Sequence, residues 1–369
     1  MKKFISMALI SALMLTMFAS CQNGSNTSAS SASSEQSSSE ASSEASSEPE
    51  SSEESSEESS EEASSEAAVE TLDASMNIAF LKGPTGLGAL QLMDKAEKGE
   101  TAVDYNITIV ASAEEVVSGI GSGEFDLAAA PSNLASTLYN KTSGKVSLVA
   151  NNALGVLYLM QKGDVTVSTI EDLRGMDIIS SGEGTTAQYV VDYILTANGI
   201  DPETDVNITY YTEHAEAATA LASAENAVAV LPQPFVTTVA LQNEGISIAL
   251  DLTEEWEKVT DGNQLVMGSI IGRNEYIEAN PEAMDAFLTE YAASTAWVNE
   301  NPAEAGALSE QFGLFPAAVA TKAIPNCNIT FMEGDEMKKN AENFLSIMFD
   351  YAPATIGGAM PEDDFYFAR

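Results

Sequence analysis

The chain has 369 residues, and its 56 acidic residues against 15 basic ones give a formal net charge of -41 at pH 7. Such a charge repels a phosphate backbone, which argues against nucleic-acid binding. With one histidine and two widely separated cysteines, the chain cannot form a multi-histidine or cysteine-rich metal site. We expect neither a metal nor a cofactor.

Residues 1–20 read as a secretory leader. Lys2 and Lys3 give a positively charged start, and residues 4–18 form an apolar run that is too short to span a bilayer comfortably. The run ends in small residues followed by Cys21, which resembles the lipobox of bacterial lipoproteins. That resemblance implies that Cys21 becomes the mature N-terminus and carries a lipid. The alternative, a buried structural cysteine, fits poorly between an apolar run and a polar tract.

A polar tether follows the leader. Residues 22–70 are nearly all Ser, Glu, Ala and Asn, and they include no aromatic residue. Such a tract cannot bury enough apolar surface to offset its chain entropy, and its repeated acidic units repel one another. We therefore predict a disordered, extended tether over residues 21–75, and leave open whether it is phosphorylated or glycosylated.

From residue 76 onward, short apolar runs alternate with amphipathic stretches, which is typical of an α/β protein with mostly parallel strands. The pattern runs once to Gly163 and then restarts. The predicted strands lie at 76–81, 105–110, 126–130, 146–150, 178–179, 207–211, 227–231 and 264–271. The predicted helices lie at 113–120, 185–198, 215–224 and 235–243, and everything beyond residue 280 reads as helical. We predict two lobes, with residues 164–263 (lobe 2) inserted between residues 76–163 and 264–369 (lobe 1).

Five segments in this order resemble a known family. They are IAFLKGPTGLGALQLM (78–93), VVSGIGSGEFDLAAAPSNLAS (116–136), VSTIEDLRGMDIISSGEGTTAQYVVDYIL (167–195), AENAVAVLPQPFV (224–236) and NPEAMDAFLTEYAASTAWVNENPAEA (280–305). The series is similar to the substrate-binding lipoproteins of ABC importers, of the nitrate, sulfonate, taurine and thiamine-precursor type. The resemblance implies a type II periplasmic-binding-protein fold, in which two α/β lobes close on a ligand in the cleft. We expect the hinge near residues 157–164 and 253–264.

The candidate site follows from the strand ends. In open parallel sheets, ligands lie beyond the carboxyl ends of the strands, where helix N-termini expose unpaired N–H groups. The glycines of the turn 82–88 would let backbone approach a ligand, although an ordinary glycine turn is the alternative. Its G-x-x-G-x-G spacing fits neither the dinucleotide-binding nor the P-loop pattern. The glycines and hydroxyls of 180–186 suit a carboxylate, a sulfonate or a polar ring edge, and this turn is our first candidate for polar contacts.

Three further turns supply candidates with alternatives. Ser132 or Asn133 caps a helix, contacts the ligand or does both. His214, beside Glu213, makes a ligand hydrogen bond or a cap rather than acting in catalysis, because no nucleophile or second base is evident nearby. Gln233 offers a donor and an acceptor, and Phe235 either stacks on a planar ligand or lies in the core. The predicted ligand-binding residues are Lys82, Gly83, Pro84, Thr85, Ser132, Asn133, Ser181, Gly182, Gly184, Thr185, Thr186, Glu213, His214, Gln233 and Phe235.

The resemblance implies a monomeric, non-enzymatic receptor on the outer face of the bacterial membrane, anchored through Cys21, that delivers a small molecule to ABC permease subunits. A surface adhesin or sensory domain is the alternative. The secretory leader argues against a biosynthetic enzyme on the same scaffold, because such enzymes act in the cytoplasm. Lys82 is the only cation near the cleft turns, which disfavours a multiply charged anion. A planar heterocycle such as a thiamine precursor suits the polar candidates, and a singly charged sulfonate or nitrate stays open. Cys327 is predicted to be a buried free thiol.

Overall fold

The computed structural model describes residues 71–369. The predictions for the leader, for Cys21 and for the tether as far as residue 70 lie outside the described residues. The chain is hydrogen-bonded from Leu72, whose N–H donates to the carbonyl of Ala102 at 2.8 Å, so the folded region begins before the predicted boundary at residue 76. Within residues 71–369, no helix combines the length and the apolar character needed to cross a membrane.

The described region contains eleven strands in two sheets. The strands are β1 (Ser75–Leu81), β2 (Asp104–Val110), β3 (Leu127–Pro131), β4 (Val146–Ala153), β5 (Leu157–Lys162), β6 (Asp177–Ser181), β7 (Asn207–Tyr211), β8 (Ala227–Pro232), β9 (Ile246–Asp251), β10 (Gly268–Arg273) and β11 (Ile329–Met332). The first sheet has the order β11-β4-β10-β3-β1-β2, and the second has the order β7-β6-β8-β5-β9. We call each sheet with its helices a half of the molecule.

Thirteen α-helices surround these sheets in the described region. They are α1 (Pro84–Gly88), α2 (Leu90–Lys98), α3 (Ala113–Ser122), α4 (Ser132–Thr142), α5 (Thr186–Ala197), α6 (His214–Ser223), α7 (Phe235–Gln242), α8 (Leu252–Val259), α9 (Asn274–Ala279), α10 (Pro281–Glu300), α11 (Pro302–Gln311), α12 (Ala317–Ala323) and α13 (Gly334–Tyr351). Short 3-10 turns occur at Ile170–Leu173, Ile324–Asn326, Pro353–Ile356 and Asp363–Phe365.

Two helices next to the cleft begin at side-chain caps. Ser112 and Glu115 form a capping box at the start of α3, and the Thr185 hydroxyl accepts the N–H of Ala187 at the start of α5. Each of these helices directly follows a turn out of a parallel strand. The caps therefore fix the helix starts at the carboxyl ends of the strands.

The sheets are more mixed than the sequence predicts. β1 pairs in parallel with β2 and β3, and β6 pairs in parallel with β7 and β8. The returning strands β5 and β10 run antiparallel to both of their neighbours. The prediction of mostly parallel strands therefore holds for the βαβ units but is wrong for the strands that return from the other half.

The chain crosses between the two sheets twice. The first crossing is at residues 154–156, between β4 and β5, and the second at residues 260–267, between α8 and β10. β5 pairs with β8 and β9 of the second sheet, whereas the sequence placed residues 157–162 in the first half. Gly163, the predicted boundary between the lobes, instead follows the end of this strand with a left-handed backbone (φ 74°).

Aromatic packing joins the two halves on the α13 side. Trp256 of α8 is fully buried, with its ring 5.7 Å from that of Phe344 of α13 and 5.1 Å from that of Tyr193 of α5. Tyr193 in turn meets Tyr351 edge to face at 5.7 Å. Cys327 is buried and free, as predicted.

One strand was missed. β11 lies in a region that reads as helical throughout, and it pairs antiparallel with β4 at the edge of the first sheet. It has only four residues, too few for a period of two to be recognisable between helices.

Candidate functional site

Two adjoining chambers lie between the sheets, at the carboxyl ends of the strands. The inner chamber has a volume of about 90 Å³. It is lined by the turn after β1, the end of β3, the starts of α5 and α6, and the end of β8. The outer chamber has a volume of about 290 Å³ and is lined by the start of α3 and by the turns after β6 and β7. The residues that line both chambers are Leu81, Pro131, Thr185 and His214.

The inner chamber is mainly apolar. Ala130, Ala153, Val156, Leu157 and Met267 line it together with prolines of both halves. We did not predict these residues, because small apolar side chains at strand ends look like ordinary core in a sequence. The only sequence signal was their position beside the predicted turns.

Gly268 keeps the inner chamber open where β10 begins. A Cβ atom at this position would lie 2.9 Å from Oδ1 of Asn152 and 3.1 Å from Cγ2 of Thr85. Real Cβ atoms do not approach other atoms so closely without displacing them. Glycine is therefore required here by close packing rather than by backbone conformation.

The turn after β1 forms one wall of the inner chamber. Lys82, Gly83, Pro84 and Thr85 all line the chamber. The Thr85 hydroxyl donates to the carbonyl of Leu81 at 3.0 Å, so its proton is not free for a ligand. Lys82 Nζ lies 3.5 Å from the carbonyl of Gly313 and 5.6 Å from the centre of the Phe315 ring. Lys82 is the one Lys or Arg among the described residues that line this chamber.

Asn133 lines neither chamber and instead bridges the two halves. Its backbone N–H donates to Thr186 Oγ1 at 3.1 Å, and the Thr186 hydroxyl donates to Asn133 Oδ1 at 3.0 Å. Its Nδ2 donates to the carbonyls of Gly184 (3.1 Å) and Thr355 (3.0 Å). Asn133 is 1% exposed, and its side-chain amide is occupied by protein. In this structure Asn133 therefore holds the halves together rather than facing a ligand.

Ser132 does not reach the chambers either. Its hydroxyl lies 2.9 Å from that of Ser269 on β10, and it is buried. No side-chain cap hydrogen bond forms at the start of α4, whose N-cap position is occupied by Pro131. Ser132 therefore neither caps α4 nor lines a chamber, and its hydroxyl contacts Ser269 within the first half.

The turn after β6 contributes to both chambers. Gly182 and Gly184 adopt left-handed backbones (φ 76° and 75°), which glycine adopts without steric cost. Thr185 and Thr186 line the inner chamber, and Gly182, Gly184 and Thr185 line the outer one. The Thr185 hydroxyl donates to the carbonyl of Gly182 at 2.6 Å and caps α5, so it is occupied.

His214 lies at the start of α6 and lines both chambers. Its Nδ1 is 2.7 Å from Ser181 Oγ, which has no other hydrogen-bond partner among the described residues. Donation by this hydroxyl to Nδ1 satisfies both groups and favours the tautomer that carries its proton on Nε2. Burial lowers the pKa of His214 to about 4, so the ring is uncharged at neutral pH. His214 thus supplies a neutral N–H donor.

Phe235 and Glu213 line neither chamber. Phe235 lies in the core, where its ring is 5.3 Å from that of Phe315 and 5.5 Å from the imidazole of His214. Phe235 therefore packs beside His214 without lining either chamber. Glu213 is exposed at the start of α6, where its backbone N–H donates to Glu216 Oε2 at 3.4 Å.

Gln233 carries the clearest binding group. It is 3% exposed and lines the inner chamber. Its Oε1 accepts from the N–H and the hydroxyl of Thr237, at 3.3 and 2.8 Å. Its Nε2 has no hydrogen-bond partner within residues 71–369. An N–H donor in a largely apolar chamber gains most from an acceptor on a ligand.

The chambers offer little to a metal ion. Among the described residues, no group of three or more His, Cys, Asp or Glu side chains is arranged to hold one. The arrangement instead provides apolar surface with two neutral donors, from Gln233 and His214, beside one lysine. It can bind a small molecule with hydrogen-bond acceptors.

Comparison with known proteins agrees with this arrangement. Residues 97–261 match the model of a family described as ABC transporter, phosphonate, periplasmic substrate-binding protein. No match was found among curated proteins.

Several solved structures share the fold. An ABC transporter structure from Parabacteroides distasonis has a TM-score of 0.64 at 22% identity, covering 80% of this chain and 100% of that one. The periplasmic aliphatic sulphonate-binding protein SsuA from Escherichia coli has a TM-score of 0.63 at 14% identity, with coverages of 80% and 93%. The periplasmic nitrate-binding protein NrtA from Synechocystis PCC 6803 has a TM-score of 0.57 at 16% identity, with coverages of 76% and 83%.

These findings define the fold. The fold is that of the periplasmic binding proteins, with two α/β halves around a cleft, as predicted. The resemblance to substrate-binding proteins of ABC transporters is confirmed, through a family model that matches residues 97–261.

Proposed function

We propose that this protein captures a small solute outside the cell membrane, to which a lipid on Cys21 anchors it, and delivers that solute to the permease subunits of an ABC importer. The family match and the chambers between the two sheets support this proposal. The single observation that carries it is Gln233, a 97% buried amide whose Nε2 has no protein partner among the described residues.

The ligand is a small planar heterocycle with hydrogen-bond acceptors. Its ring lies against the apolar wall of the inner chamber, and its acceptors face the N–H groups of Gln233 and His214. A multiply charged anion is disfavoured, because the one lysine in the chamber also contacts Gly313 and Phe315. A singly charged sulfonate or nitrate is the alternative, and it would use the same donors together with Lys82.

Binding involves closure of the two halves about the crossings at residues 154–156 and 260–267. The bridge from Asn133 to Thr186 forms on closure and holds the ligand in place. A ligand shifts the equilibrium between the open and closed forms only if it binds the closed form more tightly. The bridge stabilises the closed form, so closure contributes to the affinity for the ligand.

The direct test is a binding screen with the purified full-length chain. Isothermal titration would measure its affinity for a panel of vitamins and their precursors, amino acids, amines, sulfonates, nitrate and methylphosphonate. We expect one planar solute to bind with 1:1 stoichiometry. A panel in which only anions bind would contradict the heterocycle assignment, and a panel in which nothing binds would contradict the proposed function.

A matched pair of variants tests the role of the amide. Gln233→Glu keeps the oxygen that accepts from Thr237 but replaces the donor with a second oxygen. Gln161→Glu is the control, because Gln161 Oε1 likewise accepts a backbone N–H, that of Val167, outside both chambers. Gln233→Glu should weaken binding at least tenfold, and Gln161→Glu less than twofold. Equal effects would exclude a ligand contact at Gln233.

The anchor has its own test. Mass spectrometry of the protein extracted from membranes should show that residues 1–20 are absent and that Cys21 carries acyl chains. An unmodified Cys21 in a membrane fraction would contradict the lipoprotein assignment.

A further inference from the structure

The outer chamber is negatively charged. Two carboxylates line it, Glu114 from the first half and Glu183 from the second. Within the described residues no lysine or arginine lines this chamber, and its remaining titratable side chains are those of Tyr210, Tyr211 and His214. Because the pKa of His214 is lowered to about 4, the histidine adds no positive charge at neutral pH.

Neither carboxylate has a partner of its own within residues 71–369. Glu114 lies in the first turn of α3, where the capping box uses its neighbour Glu115 and leaves Glu114 without a hydrogen bond or ion pair. Glu183 likewise makes none. Two unneutralised carboxylates that face one chamber from opposite halves repel each other, and a cation between them would remove that cost.

The turn that carries Glu183 is fixed. The N–H of Gly184 donates to Gln188 Oε1 at 2.7 Å, and the N–H of Gly182 donates to the carbonyl of Tyr211 at 3.3 Å. Burial, together with the charges of Asp192 and Glu183, raises the pKa of Tyr210, so the phenol stays neutral. The chamber therefore presents carboxylates next to neutral aromatic rings, a combination that suits ammonium groups.

The two chambers adjoin. They share four lining residues, and the inner one is lined by the buried residue Gln233, whose Nε2 has no hydrogen-bond partner within residues 71–369. A ligand that places an acceptor at Gln233 and extends past the four shared residues brings its other end to the acidic outer chamber. The donor side chain of Gln233 and the negative charge of the outer chamber are independent observations. The first favours an acceptor on the ligand, and the second favours a positive charge at the ligand's other end.

We propose that the solute is a small organic cation, whose acceptor-bearing head lies at Gln233 and whose protonated amine or quaternary ammonium lies in the outer chamber between Glu114 and Glu183. This inference rests on the proposed function and adds the charge of the ligand. It differs from the sulphonate and nitrate named for the structural neighbours.

The charge preference should depend on salt. Both glutamates are exposed residues, so added salt screens their attraction for a cation. We expect a cationic ligand to bind at least tenfold more tightly than its uncharged analogue at about 20 mM salt, where the Debye length is about 20 Å. The ratio should fall below about threefold at 0.5 M salt.

The experiment uses three compounds with one head group. These are 4-(aminomethyl)benzamide (cation), 4-methylbenzamide (uncharged) and 4-carbamoylbenzoate (anion), titrated into the full-length chain at both salt concentrations. The carboxamide oxygen is the acceptor for Gln233, and only the opposite substituent changes. The expected order of affinity is cation, then uncharged compound, then anion.

Two double variants with the same net charge complete the design. Glu114→Gln with Glu183→Gln should reduce the ratio of cation to uncharged affinity to less than twofold. Glu171→Gln with Glu304→Gln is the control, because both residues are exposed and neither lines a chamber. The control should keep the tenfold ratio.

The outcomes separate the two claims. If the uncharged compound binds and the amine gives no gain, or if the gain survives in the Glu114/Glu183 variant, the cation assignment is wrong and the proposed function stands. If these compounds fail but solutes of the larger panel bind, the charge of those solutes decides: amines support the inference, and anions or uncharged solutes overturn it. If nothing binds, the proposed function itself is wrong.

Discussion

Asn133 and Thr186 bond to each other twice across the cleft. The backbone N–H of Asn133 donates to Thr186 Oγ1 at 3.1 Å, and the same hydroxyl donates to Asn133 Oδ1 at 3.0 Å. Asn133 lies in the first turn of α4 in the first half, and Thr186 is the first residue of α5 in the other half. Both are buried, so water does not compete for these bonds.

Replacing Asn133 with Ala should open the cleft. The variant leaves the Thr186 hydroxyl and the carbonyls of Gly184 and Thr355 without this partner, and we expect a loss of about 2–4 kcal/mol in the free energy of unfolding. Small-angle X-ray scattering should show a larger radius of gyration. Ser136→Ala on the same helix is the control, because Ser136 bonds only to the carbonyl of Ile356. Equal compactness and stability of the two variants would refute the bridge.

Gly155 at the first crossing packs against Thr253. A Cβ at residue 155 would lie 2.3 Å from Thr253 Oγ1 and 2.6 Å from its Cγ2, so Gly155→Ala should cost about 1–3 kcal/mol of stability. The Thr253 hydroxyl is buried and has no hydrogen-bond partner among the described residues. Thr253→Ala alone should therefore cost little.

The double variant tests this contact. Gly155→Ala combined with Thr253→Ala should recover most of the stability lost by the first change, as measured by urea unfolding. Additive effects of the two substitutions would show that the contact at the crossing is not the cause.

The single histidine of the chain permits a direct titration. We expect His214 to titrate by NMR with a pKa of about 4, because burial disfavours the imidazolium. This value lies below that of the unfolded chain, about 6.5, so the unfolded state takes up the proton first. His214 should therefore reduce stability as the pH falls from about 6.5 to about 4, and His214→Gln should remove that dependence. A midpoint near 6.5 would show an exposed ring.

Asp192 should have the opposite pH dependence. It is 9% exposed and forms no ion pair in the part of the chain that the structure describes; burial raises its pKa to about 6, partly opposed by a hydrogen bond with Gln188. Because this pKa exceeds that of the unfolded chain, about 3.9, the stability that Asp192 gives at low pH is lost as the pH rises from about 4 to about 6.

The corresponding variant is Asp192→Asn. At pH 7.5 it should raise the free energy of unfolding by about 2–3 kcal/mol, and at pH 3.5 the difference should vanish. The exposed Asp164→Asn is the control and should change stability by less than about 0.5 kcal/mol at either pH. A gain from Asp192→Asn that persists at pH 3.5 would mean that its cause is not the charge.

The sequence predicted the fold and the positions of the turns because these depend on local patterns. The apolar runs of β1, β3, β6 and β8, each followed by a Gly-, Pro- or Ser-containing turn, place four turns at the same end of two sheets. The turns at residues 82–85 and 182–186 both line the chambers.

The roles of individual polar residues could not be read in the same way. Asn133 is directed to Thr186, 53 residues away, and Phe235 packs on Phe315, 80 residues away, so their partners depend on the tertiary structure. Glu114 and Glu183 both line the outer chamber, and nothing in the local sequence indicates that residues 69 positions apart do so.

The most direct test of the central claim is a crystal structure of the protein with the solute that binds most tightly in the panel. The account predicts the solute in the inner chamber, with an acceptor within about 3.2 Å of Gln233 Nε2 and a second polar atom near His214 Nε2. A solute bound outside both chambers, or an inner chamber filled by the protein's own side chains, would contradict it.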